Sequence, residues 1–294
     1  MVWSNRLVDL VVLALLANVC LRAAPNRIRE VVGKAVDCHR QGLYQEAEKA
    51  EAEALSLLEK NAGSLDFDVA AGLNDLGSLA YVQGELERAQ ELFHRSRDVF
   101  RALAGPDDTR LASVLYNLAG VYVEQGRYAQ AEPLYQSSRE IREKAFGATH
   151  PLAAEVWNNL GFLYLHQGKY KEAETWLGKA LEVWESSAGS ETYAAVALSN
   201  VALLRRRQGA LDASESLYRR AISMEESIFG PDHPEVASSL SNLAALYRAR
   251  GKLDQAIETY RKALALFEKK LGAQDPLTIE TSQVISQLTG QTRE

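Results

Sequence analysis

Few side chains in this sequence are placed for bond-making chemistry. His150 and His233 each stand before a proline, in segments that read as connections, so each reads as an exposed turn residue before a ligand. There is no His-Glu-x-x-His, no Gly-x-x-x-x-Gly-Lys-Ser/Thr and no Gly-x-Ser-x-Gly. Cys20 and Cys38 are the only cysteines, too few for a four-cysteine zinc site or a disulfide framework. No catalytic residue, metal, cofactor or small-molecule substrate is therefore expected. What remains is non-covalent. Asn117, Asn159, Asn200 and Asn242 recur at near-constant spacing, and an amide donates and accepts hydrogen bonds at once. Arg206, Arg207 and Arg248 carry the fork that grips carboxylates. A net charge of −6 argues against a general nucleic-acid partner, which needs a basic face to displace counterions.

The elements that must position these residues are written as a repeat. Glycine follows a polar residue at Gly42, Gly84, Gly126, Gly168, Gly209 and Gly251, at intervals of 42, 42, 42, 41 and 42. A second series, Gly63, Gly105, Gly147, Gly189, Gly230 and Gly272, has the same intervals. The shared short interval places one missing residue in the connection after Gly189. Between glycines the period is helical: Leu111, Leu115, Leu118, Ala119 and Tyr122 form one apolar stripe. Pro106, Pro151, Pro231, Pro234 and Pro276 fall in the connections, whereas Pro133 falls inside a helix and costs it locally. Small residues (Gly77, Ala119, Gly161, Ala202 and Ala244) recur opposite large ones (Phe93, Tyr135, Leu177, Tyr218 and Tyr260). Antiparallel helix pairs at a fixed period stack into a solenoid.

The columns Trp157, Leu160-Gly161, Tyr164, Ala173 and Ala180 resemble the tetratricopeptide repeat. The 42-residue period, Gly-Pro-Asp-His-Pro-Glu-Val-Ala at 230–237, Asn-Asn-Leu-Gly at 158–161 and Ala-Glu-Pro-Leu-Tyr around Pro133 resemble its kinesin light chain subtype. The resemblance implies an all-α, right-handed α-solenoid of about six helix pairs plus a C-terminal capping helix. It divides the chain into a degenerate N-terminal capping repeat at 25–62, five repeats at 63–104, 105–146, 147–188, 189–229 and 230–271, and a capping helix with tail at 272–294. Lys34 and Glu51 stand in columns that are apolar elsewhere, as a capping repeat allows. Residues 1–24 have a positive start, an apolar run from Leu7 to Leu21 and small residues at Ala23 and Ala24. That is the layout of a secretory signal peptide, which would make the protein secreted or periplasmic. An apolar helix on the first repeat of a cytoplasmic protein and a membrane anchor stay open.

Opposite the apolar stripe lies a second one: Ser113, Asn117, Gly120, Glu124; then Glu155, Asn159, Phe162, His166; Val196, Asn200, Leu203, Arg207; and Ser238, Asn242, Ala245, Ala249. Asparagine is a poor helix former, so its recurrence there asks for a reason. One is an extended partner peptide held by its backbone in a concave groove; the other is hydrogen bonding among the asparagines and neighbouring helices. Arg205 replaces the tyrosine of the column Tyr122, Tyr164, Tyr247, which must alter packing there. Arg206, Arg207 and Arg248 on the groove side would favour an acidic peptide; a solvated charge run is the alternative. The expectation is a non-enzymatic protein-binding module with a protein or peptide partner. The rival is a structural scaffold that assembles as an oligomer or envelope complex.

Overall fold

The computed structural model describes residues 27–40, 44–60 and 66–291. The leader at 1–24, including Cys20, and Gly42 and Gly63 lie outside the described residues. The chain parts into two compact units between Ala148 and Thr149. The N-terminal unit contains α1 (Arg27–Arg40), α2 (Tyr44–Lys60), α3 (Phe67–Gln83), α4 (Leu86–Ala104), α5 (Thr109–Glu124) and α6 (Tyr128–Phe146). The C-terminal unit contains α7 (Pro151–His166), α8 (Tyr170–Ser186), α9 (Glu191–Arg207), α10 (Leu211–Phe229), α11 (Pro234–Ala249), α12 (Leu253–Leu271) and α13 (Pro276–Gln291). The fold class is all-α. Within each unit an odd-numbered helix pairs with the even one after it, and each even helix that has a successor in its unit also packs on the next odd one.

The punctuation expected from the glycines is present. Gly126 adopts φ 72°, and the following Arg127 N–H donates to the Tyr122 carbonyl at 2.7 Å, closing the end of α5. The Arg127 guanidinium then lies 4.4 Å over the Tyr122 ring. Lys169 repeats both contacts on Tyr164, and Lys252 on Tyr247. In the repeat where Arg205 replaces the tyrosine, Ala210 replaces the cation. The odd arginine and the lost cation are one change.

Helix starts are capped by a column of Asp66, Asp108, His150, His233 and Asp275. The two histidines are half-buried caps and not exposed turn residues: His150 Nδ1 accepts from the Leu152 N–H at 3.1 Å and His233 Nδ1 from the Glu235 N–H at 3.3 Å. Pro133 lies inside α6 on its exposed side.

The core is made of the paired small and large columns. A Cβ added to Gly77 would stand 2.8 Å from the Phe93 ring, and one on Gly161 would stand 2.6 Å from Leu177 Cγ. Ser96 and Ser138 donate to the carbonyls of Ala70 and Ala112 at 2.7 and 2.8 Å, and Ser214 to that of Ala202 at 2.7 Å. Of the capping repeat's two polar column residues Lys34 is exposed, whereas Glu51 is buried and takes Gln83 at 3.1 Å and Arg88 at 3.7 Å. At the other end α13 exposes Ser282 and Ser286 while burying Thr278, Thr281 and Leu288.

The missing residue falls after Gly189, where the intervals place it: Ser190 alone separates Gly189 from α9, whereas three residues separate Gly147 from α7 and Gly230 from α11. Ser187–Ser190 keeps four residues, as Gly147–His150 and Gly230–His233 do. The linking segment keeps its length because α8 ends two residues sooner, at 17 residues where α4, α6, α10 and α12 have 19, while α9 begins one residue early against its asparagine column.

Candidate functional site

Odd helices touch the next odd helix directly: α1 on α3 and α3 on α5 in the N-terminal unit, α7 on α9 and α9 on α11 in the C-terminal unit. Each unit therefore presents a face made of successive first helices. The asparagine column lies along these contacts.

In the N-terminal unit Asn117 is half-buried, and its Nδ2 donates to Asn74 Oδ1 at 3.0 Å and to Ser78 Oγ at 3.4 Å. In the C-terminal unit Asn200 is only 5% exposed and donates to Asn158 Oδ1 at 3.0 Å, while Asn158 Nδ2 donates to Asn159 Oδ1 at 3.2 Å. Asn117 and Asn200 thus join neighbouring helices through amide ladders. Asn242 is half-buried and makes no side-chain hydrogen bond among the described residues. The rungs Asn74 and Asn158, each beside its column position, were not singled out by periodicity. In the same repeat Val196 and Leu203 are buried, so only Arg207 of that stripe is open.

Phe162 and His166 are both half-buried, with ring centroids 4.4 Å apart on α7. Burial, and next the charge of Arg207, hold the His166 imidazole below its ordinary proton affinity. The arginine run divides. Arg205 is spent on Glu174 of α8 at 2.8 Å and on Gln208 at 2.8 Å. Arg219, Arg220 and Arg250 are likewise paired, with Glu215, Glu185, and Asp212 plus Glu215. Arg206, Arg207 and Arg248 form no ion pair among the described residues.

These three converge on two tyrosines from the large-residue column. Tyr218 is fully buried, its hydroxyl has no hydrogen-bond partner among the described residues, and burial pushes it up to about 12 although Arg206 and Arg207 act against that. Burial also raises Tyr260, against Arg248 and Arg206 and with Glu280 of α13. Arg206 therefore bears on both hydroxyls, and Arg207 on Tyr218 and His166. The result is a cationic cluster where α7, α9 and α11 end, suited to an anionic group. Among the described residues no group of three or more His, Cys, Asp or Glu could hold a metal ion, and no helix is long and apolar enough to cross a membrane.

Helix pairs joined in series, with a face of first helices carrying amides and unpaired arginines, define the class of helical repeat proteins. The family model of the tetratricopeptide repeat matches residues 68–144, 110–186, 193–269 and 236–291, and the chain belongs to that family. No curated protein matches it in sequence. Among solved structures it is similar to RapI in its apo form, at 15% identity and TM-score 0.63, covering 91% of this chain and 99% of that one. It is also similar to BtubC (BKLC) from P. vanneervenii, at 19% identity and TM-score 0.56, covering 84% and 92%. A third is a Podosopora anserina kinesin light chain-like protein of nearly identical TPR-like repeats, at 19% identity and TM-score 0.55, covering 68% and 95%. These likenesses concern the fold. Tetratricopeptide folds generally serve as protein–protein interaction scaffolds and are generally non-catalytic.

Proposed function

We propose that the chain is a non-enzymatic binding module whose C-terminal unit holds an extended, acidic segment of a partner protein along α7, α9 and α11. The observation that carries this reading is the set Arg206, Arg207 and Arg248. Between Arg205 and Arg250 the other four arginines are all paired within the unit, so these three leave positive charge uncompensated on the same face. Asn242, with its amide unspent, stands on the same face to hold a peptide backbone.

The test is fluorescence anisotropy with extended peptides of graded acidity. Arg206→Glu combined with Arg248→Glu should weaken the most acidic peptides at least tenfold, an order set by losing charge-assisted contacts of about 1.5–3 kcal/mol each. Added salt should weaken binding to the unchanged protein. Equal affinity for acidic and neutral peptides would sink the reading. The protein is proposed to act after export, on the strength of residues 1–24; recovery of secreted protein with an intact Met1 would count against a cleaved leader.

A further inference from the structure

One interior position recurs along the second helices as Phe100, Arg142, Trp184, Glu225 and Phe267, all buried. Three of the five are aromatic, as a packed column favours. In α10 the place is taken by Glu225, 4% exposed. Its Oε1 accepts a hydrogen bond from Ser239 of α11 at 2.8 Å, and its Oε2 is buried with no hydrogen-bond partner among the described residues. Ser239 Oγ lies 3.4 Å from Ser199 Oγ of α9, so the cluster ties three helices together.

The charges that bear on Glu225 all have its own sign. They are Glu235 of α11, itself buried, and Glu226 of α10. From α9 the cluster receives Ser199, a neutral group. On α12, Lys269 pairs with Asp232, and Lys270 acts on Asp232 and His233 at the α10–α11 connection. Among the described residues no cation offsets Glu225. Burial first, and Glu235 and Glu226 after it, push its proton affinity well above the ordinary carboxylate range, with the Ser239 hydrogen bond opposing. A neutral carboxylic acid is tolerated there, whereas a bare carboxylate is not.

We propose that this cluster makes the α10–α11 joint pH-gated: closed while Glu225 keeps its proton, and loosened when the proton passes to solvent and leaves a bare carboxylate in the interior beside Glu235. Arg206 and Arg207 end α9 and Arg248 ends α11, so loosening the joint alters their spacing. That link to binding rests on the function proposed above; the joint itself does not.

The sign follows from linkage. A folded-state affinity raised above the ordinary 4.5 means stability is lost as pH rises from about 4.5 toward the folded value. Melting curves of the full chain and of Glu225→Gln from pH 4.5 to pH 8.5 test it. The variant should melt about 3 °C or more above the unchanged protein at high pH, with the gap closing toward pH 4.5. A gap that does not vary with pH overturns the joint. Should the variant not fold, carboxyl carbon NMR of the unchanged chain decides: titration of Glu225 with the ordinary glutamates overturns the proposal, and titration well above them supports it. Acidic-peptide affinity is then compared between the two proteins at pH 6 and pH 8. A pH-dependent melting gap with identical affinities would overturn the link to binding alone.

Discussion

Asn200 and Asn242 occupy the same position in successive repeats and differ in what they touch. Asn200 is buried and gives its amide to Asn158, whereas Asn242 gives its amide to no described neighbour. Asn200→Ala should therefore cost about 1–2 kcal/mol in urea unfolding, because it strands a buried acceptor as well as losing a bond. Asn242→Ala should stay within about 0.5 kcal/mol. Equal losses would contradict that division of labour. The row of four asparagines was legible from spacing, but not their uses, which depend on Asn74 and Asn158 next door. Periodicity weighs one position per turn and is blind to the residue beside it. The arginine run shows the same limit. Spacing marked Arg205 as odd, yet only the α8 neighbour Glu174 separates it from Arg206 and Arg207.

At the scale of helices, pairing and punctuation were readable because they rest on residues with few alternatives. Glycine at φ 72° after α5 and proline at the start of α7 and α11 admit little else. The pairing of small with large columns has a measurable consequence at Gly161, where α7 meets Leu177. Gly161→Ala should destabilise by about 1–3 kcal/mol despite alanine's better helix propensity, because the new methyl overlaps Leu177. A gain in melting temperature would show that α8 can step back freely. The position of the missing residue was legible because two glycine series share one short interval, which confines it to the stretch between Gly189 and Gly209. The connection keeps four residues only because α8 ends two residues sooner than its counterparts. His150 and His233 were underestimated because a histidine before proline looks like any turn residue until its ring is seen accepting a backbone N–H.

For the molecule as a whole, repetition made the all-α class and the family legible, while charge balance decided which face is informative. The −6 total hides the arginines near the ends of α9 and α11 that form no ion pair among the described residues, and no composition figure reveals them. A binding module of this kind should keep a mass independent of concentration in light scattering from micromolar to hundreds of micromolar. Mass that climbs with concentration would instead favour the scaffold reading, in which repeat surfaces assemble the chain with itself. A series of near-interchangeable helix pairs also carries a hazard during folding, since any pair can dock on the wrong neighbour and trap the chain. The shortened α8 and the early start of α9 act as a registration mark against that. A pair with its corner cut matches only the neighbours that flank it, so one absent residue lets the chain count its own repeats.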